Sequence, residues 1–238
     1  MKTLTNKMIT RRQILTGSAV LAGAALTGCS TTQTPIKMPA FLKRKEGTGI
    51  NIGFSKSELA SMYGPRVDGG FTIPALDLKR VDPKFYRRRV VYPSSERVGT
   101  VIVDTRNFFL YLVEGDGYAM RYGVGLGKQG FEWSGRANIT WKQAWPKWTP
   151  PDEMIERRPE LEKYSVRNGG MPPGLDNPLG ARALYIFQDG VDTLYRIHGT
   201  PEFWTIGKAV SSGCVRMINQ DVIDLFDRAK TNVPILVS

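Results

Sequence analysis

The sequence predicts a mostly β domain, either a sandwich or a partly closed barrel with short helices. Short runs of β-branched and aromatic residues recur through the second half of the chain, and turn-forming Gly, Asn and Asp residues separate them. Helical periodicity is confined to a few short stretches. Of the 238 residues, 41% are hydrophobic, which excludes a mostly disordered chain and suffices for one well-cored domain.

The predicted strands are short and are joined mainly by hairpins. Arg106 and Asn107 suit a tight turn between the first two strands, and Asp189 and Gly190 suit a later one. Pro234 indicates that the last strand lies at a sheet edge or that the proline stands at a strand start. The predicted strands are residues 98–105, 108–114, 118–125, 136–145, 183–188, 193–198 and 233–237.

Three short helices accompany these strands. Ser55 and Glu58 have the spacing of a capping box and predict a helix over residues 55–62. Prolines then interrupt residues 64–89, which we expect to wrap in extended form over the domain that follows. The other two predicted helices are residues 152–158, after Pro150 and Pro151, and residues 220–230, with Asn219 as N-cap.

The N-terminus has the pattern of an export signal. Residues 1–28 contain four basic and no acidic residues, and their apolar stretch, 18–26, is too short to span a bilayer. Arg11 and Arg12 resemble the pair of a twin-arginine signal, and the residues leading to Cys29 resemble a lipobox, in which that cysteine is lipidated. The alternative, an ordinary buried helix, does not account for these flanking residues.

These signals divide the chain into three predicted parts. Residues 1–28 are a lipoprotein signal peptide, 29–90 a lipidated N-terminus with a tether and wrapping segment, and 91–238 a catalytic domain. The expected location is the periplasm or cell envelope, with a lipid anchor in a membrane. Ser30 after the lipidated cysteine favours the outer membrane over the inner one.

Composition excludes several classes of function. The chain has 33 Lys and Arg against 22 Asp and Glu, and it stays basic without its signal segment. The basic residues are scattered without a nucleic-acid-binding motif, so we expect an anionic envelope surface rather than nucleic acid as partner. One His and two Cys exclude a zinc site with several such ligands and permit at most one disulfide.

One cluster of residues has the composition of a cysteine acyltransferase site. His198 ends a predicted strand, and Gly213 and Cys214 follow after a short interval, preceded by Ser211 and Ser212. A thiol needs a base to become a nucleophile, and a neighbouring imidazole can supply one. The adjacent glycine frees backbone N–H groups for an oxyanion. The alternatives are a packed histidine and a disulfide cysteine, although lipidation of Cys29 would leave the second cysteine as an odd thiol.

A longer set of motifs, in fixed order, points to a known family. It resembles the L,D-transpeptidase catalytic domain of the YkuD/ErfK type, over roughly residues 90–238. The motifs are residues 99–104 (GTVIVD), 123–128 (GVGLGK), 146–151 (PKWTPP), 177–180 (NPLG), 195–200 (YRIHGT), 206–207 (IG), 211–217 (SSGCVRM) and 219–222 (NQDV).

This resemblance implies a fold and a reaction. The fold is the β-sandwich or partly closed barrel of that family, which acts on peptidoglycan stem peptides without a metal or organic cofactor. A cysteine attacks the carbonyl of the third, diamino acid residue and releases D-Ala. The thioester then passes to an amine of a second stem, giving a 3–3 cross-link, or to a protein such as an outer-membrane protein. Transfer to water would make the enzyme a carboxypeptidase, and a non-catalytic wall-binding lipoprotein is a further alternative.

The resemblance also assigns roles by position. Cys214 is the nucleophile and His198 the general base and acid. Gly199 or Thr200 lies where the family orients the imidazole through a backbone carbonyl or small side chain. The backbone N–H groups of Gly213 and Cys214 are the oxyanion donors. The family's thiolate attacks strained lactam rings, so a carbapenem is expected to acylate the same cysteine.

The remaining assignments concern substrate binding. Arg216 either grips a substrate carboxylate, braces the cysteine loop or forms a structural ion pair. Ser211, Ser212 and Thr200 are expected to line the substrate site. The chain departs from the family at Ser212, where many members carry a second histidine, and at residues 132–135, where a Thr-Pro-x-Gly turn is common. Three tryptophans lie before or within the Pro-rich loop, and we expect them to pack in the core or to stack on a ligand. They are Trp141, Trp145 and Trp148.

Overall fold

The computed structural model of the protein describes residues 54–127, 134–211 and 213–238, without the side chain of Ser211. The predicted signal peptide, Cys29, the tether and Ser212 lie outside these ranges. Within them, every helix is too short or too polar to span a bilayer. The helices are α1 (Lys56–Tyr63), α2 (Asp152–Arg157) and α3 (Asn219–Arg228), and the 3-10 helices are Leu78–Arg80, Pro83–Phe85, Pro159–Tyr164, Val166–Asn168 and Phe203–Thr205.

The strands confirm the predicted mostly β fold. They are β1 (Arg66–Asp68), β2 (Phe71–Ile73), β3 (Arg88–Val91), β4 (Val101–Asp104), β5 (Phe109–Gly115), β6 (Tyr118–Gly123), β7 (Leu126–Gly127), β8 (Gly135–Ala144), β9 (Arg182–Gln188), β10 (Val191–Thr200), β11 (Ala209–Ser211), β12 (Val215–Ile218) and β13 (Val233–Val237). In the described part of the chain, nine of them form one sheet in the order β12-β10-β9-β8-β13-β4-β5-β6-β3.

The large sheet curls towards closure. Arg216, on the edge strand β12, exchanges two backbone hydrogen bonds of 2.8 and 2.9 Å with Gly125, which follows β6 near the other end of the sheet. The short parallel pair of β7 and β11 extends this contact. The sheet is therefore a partly closed barrel, and its inner face holds the main hydrophobic core. The core includes Val101, Leu110, Tyr122, Ile139, Leu184, Ile186, Ile197, Met217, Val222, Leu225 and Ile235.

The segment before β4 folds onto the sheet. Ser55 caps α1 and exchanges reciprocal hydrogen bonds with Glu58, so the predicted capping box is confirmed. Residues 64–89 are not extended throughout, because they contain the β1–β2 hairpin and two 3-10 helices. Phe85 packs in a second core cluster with Ile218 of β12. The strand β3 then pairs with β6 as the last strand of the sheet.

Two local predictions need correction. The strand β13 is not an edge strand, because it lies between β4 and β8. Pro234 stands near its start, before Ile235 opens the ladder with β4, so the strand-start alternative holds. Asn219 is the first residue of α3 rather than its cap, and Ile218 occupies the cap position without a side-chain bond. The Asn219 side chain is engaged elsewhere, since its Oδ1 accepts the Ala181 N–H at 3.0 Å.

Candidate active site

The candidate site is built on the parallel pair β10 and β12 at one end of the sheet. His198 lies opposite Arg216, and Cys214 immediately precedes β12. The backbone N–H of Arg196 hydrogen-bonds the Cys214 thiol, which places this cysteine level with Arg196. Because paired residues point to the same face and alternate residues share it, all four side chains lie on one face of the sheet. The fold thus brings together the histidine and the cysteine that the sequence singled out.

Backbone carbonyl groups hold the buried imidazole of His198. Its Nδ1 lies 2.6 Å from the Gly199 carbonyl oxygen, and the Pro178 carbonyl oxygen also lies close to the ring. Burial is the main cause that lowers the pKa of His198 to about 4, and the positive charges of Arg216 and Arg196 act in the same direction. The ring is therefore neutral at neutral pH. Since a carbonyl oxygen only accepts, we assign the single proton to Nδ1, which leaves Nε2 as a base.

The Cys214 thiol is half-buried and protonated at rest. Burial raises its pKa above the ordinary value, and the N–H bond from Arg196 and the charges of Arg196 and Arg216 oppose that rise only in part. A neutral thiol beside a neutral imidazole supports proton transfer during attack rather than a standing thiolate–imidazolium pair.

Two glycines in the site occupy positions where a side chain does not fit. Gly213 has a φ of +125°, and a Cβ there would lie 3.0 Å from the Tyr195 ring. A Cβ on Gly199 would clash with the Asn219 side chain. Both positions therefore require glycine, for backbone conformation or for close approach.

Asn177 holds the loop that supplies the Pro178 carbonyl. It is fully buried, and its Nδ2 donates to the carbonyls of Pro146 at 3.1 Å and Pro172 at 3.0 Å. Its Oδ1 accepts the Leu179 N–H at 2.9 Å. Asn177 belongs to one of the family motifs in the sequence, and the sequence alone indicated no role for it. The Asn-Pro pair two residues before Gly180 was the available signal, but one carbonyl partner, that of Pro146, is 31 residues away.

Replacing Asn177 with Ala is expected to destabilise the fold by about 2–4 kcal/mol, because two backbone carbonyls and one N–H lose a buried partner. Cys214 acylation should also slow, since the Pro178 carbonyl is no longer fixed against His198. Chemical unfolding and acylation kinetics measure the two effects. Asn168→Ala is the matched control, because exposed Asn168 also donates to a carbonyl, that of Glu162 at 2.8 Å. Equal losses in both variants would contradict the role of Asn177.

Arg216 carries an ion pair in this structure. Its Nη1 lies 2.7 Å from Glu202 Oε2, so one of the three alternatives for this residue is present. Thr200 is buried, and its Oγ1 accepts the Glu202 N–H at 3.1 Å, which braces the turn that carries the carboxylate. The backbone of Ser211 lies in β11 opposite Gly127.

Two of the three tryptophans have clear positions. Trp145 is buried, stacks on Phe71 and donates to Asp68 Oδ2 at 2.7 Å, as predicted for core packing. Trp141 is 50% exposed, so it is not a core residue. Across the described ranges, no group of three or more His, Cys, Asp and Glu side chains could hold a metal ion.

Comparison with known proteins agrees with this geometry. The family model YkuD, described as the L,D-transpeptidase catalytic domain, matches residues 99–237, more than half of the chain. The chain belongs to this family. The sequence resemblance and the fold class that it implied are thereby confirmed. The catalytic roles of Cys214 and His198 stay predictions.

Two curated relatives from Escherichia coli K12 show the extent of the similarity. The probable L,D-transpeptidase ErfK/SrfK is 29% identical over 194 residues, covering 79% of this chain and 54% of that protein. The probable L,D-transpeptidase YbiS is 33% identical over 146 residues, covering 59% of this chain and 44% of that protein. The chain thus spans about half the length of the curated relatives that it matches.

Solved structures are also similar in part. One from Brucella melitensis, described as a probable carnitine operon oxidoreductase, is 47% identical and covers 65% of this chain and 94% of that one, with a TM-score of 0.46. An L,D-transpeptidase from Mycobacterium smegmatis is 18% identical, covers 58% of each chain and has a TM-score of 0.40.

Proposed function

We propose that the protein is a cysteine L,D-transpeptidase that acts on the tetrapeptide stems of peptidoglycan. The observation that carries the proposal is the placement of Cys214 and His198 on one face of adjacent strands, with the imidazole neutral and held at Nδ1. A nucleophile, a base and a carbonyl group that orients the base are the requirements of acyl transfer.

The first half-reaction forms a thioester. His198 Nε2 takes the Cys214 proton as Sγ attacks the carbonyl of the diamino acid residue. The N–H groups of Gly213 and Cys214 donate hydrogen bonds to the resulting oxyanion. As the tetrahedral intermediate collapses, the bond to D-Ala breaks, and the imidazolium returns its proton to the departing amine. One D-Ala leaves, and the stem stays on sulfur.

The second half-reaction releases the stem to an amine. His198 takes a proton from the acceptor amine as the amine nitrogen attacks the thioester carbonyl. The imidazolium then returns this proton to the departing sulfur, which restores the Cys214 thiol. An amine of a second stem gives a 3–3 cross-link, and a lysine of an envelope protein gives an anchored protein. Water as acceptor gives a carboxypeptidase, which is the alternative on the same site.

Two arginines supply the positive charge for anionic substrate groups. Arg196 and Arg216 flank Cys214 on the same face, and the stem carries carboxylates next to the bond that breaks. The guanidinium of Arg216 keeps donors beyond the one that Glu202 engages, so a substrate carboxylate can add to that pair or replace it. Substrate binding by Ser211, Ser212 and Thr200 belongs to the same proposal.

The proposal includes export and anchoring. Residues 1–28 would be removed, Cys29 would carry the lipid, and the enzyme would work in the periplasm on the envelope membrane, the outer membrane rather than the inner. Protein purified from membranes should then have the mass of a chain that begins at a lipid-modified Cys29. The mass of a chain that begins at Cys29 without lipid would contradict the anchor and would leave the proposed reaction unaffected.

Mass spectrometry of products tests the reaction. The full chain is incubated with a purified disaccharide-tetrapeptide, beside the Cys214→Ala variant. Loss of D-Ala with a cross-linked dimer, absent in the variant, supports the transpeptidase. Release of D-Ala with only a tripeptide supports the carboxypeptidase. If D-Ala release and a thioester on Cys214 are both absent, the catalytic proposal fails and wall binding becomes the better account.

A further inference from the structure

A row of side chains crosses four neighbouring strands level with the nucleophile. The strands β12, β10, β9 and β8 are adjacent in the sheet. Arg196 of β10 pairs with Tyr185 of β9, and Tyr185 pairs with Trp141 of β8. Cys214 lies level with Arg196, whose N–H bonds its thiol. Because cross-strand partners share a face, the row runs from Cys214 to Trp141 on the side of the sheet that carries the candidate site.

A β-bulge turns Trp141 towards solvent. Ile139 is fully buried and pairs with Ile186, whereas Trp141 pairs with Tyr185, so the register shifts by one residue between them. Strict alternation would place Trp141 on the core face with Ile139. The extra residue reverses this, and Trp141 is 50% exposed. Bulges are common beside active sites, where they re-aim a side chain.

Trp141, Tyr185 and Arg196 pack in series along this row and form a rigid platform. The centroids of Trp141 and Tyr185 are 4.1 Å apart, and the Arg196 guanidinium carbon lies 4.4 Å from the Tyr185 centroid. Asp192 holds Arg196 with two hydrogen bonds of 2.6 and 2.7 Å. The platform therefore has a flat apolar end at Trp141 and a charged end beside Cys214.

The length of the row matches the donor substrate. Strands lie about 4.8 Å apart, so three steps separate Cys214 from Trp141 by about 14 Å. In a stem, the attacked carbonyl belongs to the third residue. Three extended residues span about 10 Å, and the link from the first residue to its sugar adds a few more. With the attacked carbonyl at Cys214, the sugar that bears the stem reaches Trp141.

We propose that Trp141, backed by Tyr185, forms a stacking subsite for the N-acetylated hexosamine that carries the donor stem peptide. The inference rests on the proposed function, because it takes Cys214 as the point of attack. The C–H face of a pyranose ring would cover the exposed indole and remove its apolar surface from water. Arg196 would lie under the peptide portion, where its charge faces the stem carboxylates.

Calorimetric titration of a catalytically silent protein tests the subsite. Full-length Cys214→Ala is titrated with a disaccharide-tripeptide and with the same tripeptide lacking sugar. We expect the sugar to tighten binding about tenfold, equivalent to about 1.4 kcal/mol. Adding Trp141→Ala should bring the ratio of the two dissociation constants close to one, whereas Trp141→Phe should keep part of it.

A second exposed tryptophan provides the matched control. Trp204 lies off the row, is 37% exposed and has the Arg80 guanidinium 4.2 Å from its ring, so Trp204→Ala removes a similar surface. The sugar preference of this variant should equal that of the parent protein, which is Cys214→Ala without a further substitution. A parent without sugar preference, or a preference that survives Trp141→Ala, would overturn the subsite. D-Ala release from protein with Cys214 intact is scored separately, so loss of the proposed reaction is distinguishable from loss of the subsite.

Discussion

Replacing His198 with Gln is expected to slow acylation of Cys214 by about 10²–10⁴-fold at neutral pH. Glutamine keeps polar atoms in the space of the ring, but its amide cannot take the thiol proton. The loss should be large, because burial raises the pKa of the thiol and little thiolate forms without a base. A carbapenem, which the thiol should open to a stable adduct, provides a single-turnover probe that intact-protein mass spectrometry can follow.

The pH dependence of the Cys214 acylation rate in the native protein tests the same prediction independently. Only the neutral imidazole acts as base, and burial lowers the pKa of His198 to about 4. The acylation rate should therefore stay level from about pH 8 to about pH 5 and fall below about pH 4. An imidazole at its ordinary pKa would lose activity below about pH 6.5.

Alkylation at high pH controls for a damaged site. At about pH 10, hydroxide ionises more of the thiol without help than at pH 7, so the iodoacetamide rates for Cys214 in the native protein and the His198→Gln variant should lie closer together than at pH 7. If the variant is slow at both pH values, the substitution has closed the site. If it is acylated within about threefold of the native rate at pH 7, His198 is not the base.

Local chemistry allowed the hairpins and the Ser55 cap to be predicted. The β4–β5 turn at Arg106 and Asn107 and the β9–β10 turn at Asp189 and Gly190 form as expected, since the residues that make a turn are neighbours in sequence. The position of β13 was not predictable in the same way. Its parallel pairing with β4 joins opposite ends of the domain, and no local pattern records such a partner.

The candidate site was also predictable only where local sequence carries the signal. The sequence pointed to His198 and Cys214 because their residue types carry the chemistry. It missed the role of Asn177 and misplaced Asn219, because an asparagine near a helix start is read as a cap until its tertiary partner is known. Apolar and polar residues alternate imperfectly over residues 136–145. The structure has a bulge there, which exposes Trp141.

Between pH 7 and pH 4, two buried groups are expected to change the free energy of unfolding in opposite directions. Burial lowers the pKa of His198 to about 4, below the value of 6.5 for an unfolded chain. The unfolded state therefore binds the proton first, and stability is lost as pH falls through this window. Burial raises the pKa of Asp221 from 3.8 to about 7, although Arg87 at 3.4 Å opposes this. Here the folded state binds the proton first, and stability is gained as pH falls.

Single substitutions should expose each contribution, because at about 1.4 kcal/mol per pKa unit the two are of similar size, about 3–4 kcal/mol, and largely cancel in the native protein. Relative to the native chain, His198→Gln should gain stability on acidification and Asp221→Asn should lose it, as measured by urea unfolding at pH 7, 5.5 and 4. The exposed Asp227, on the same helix as Asp221, is the matched control, and Asp227→Asn should follow the native profile. Parallel profiles for all four proteins would show that neither buried group titrates as its environment dictates. Opposite slopes would mean that keeping the His198 imidazole neutral has a cost in acid stability, and that Asp221 of α3 offsets this cost.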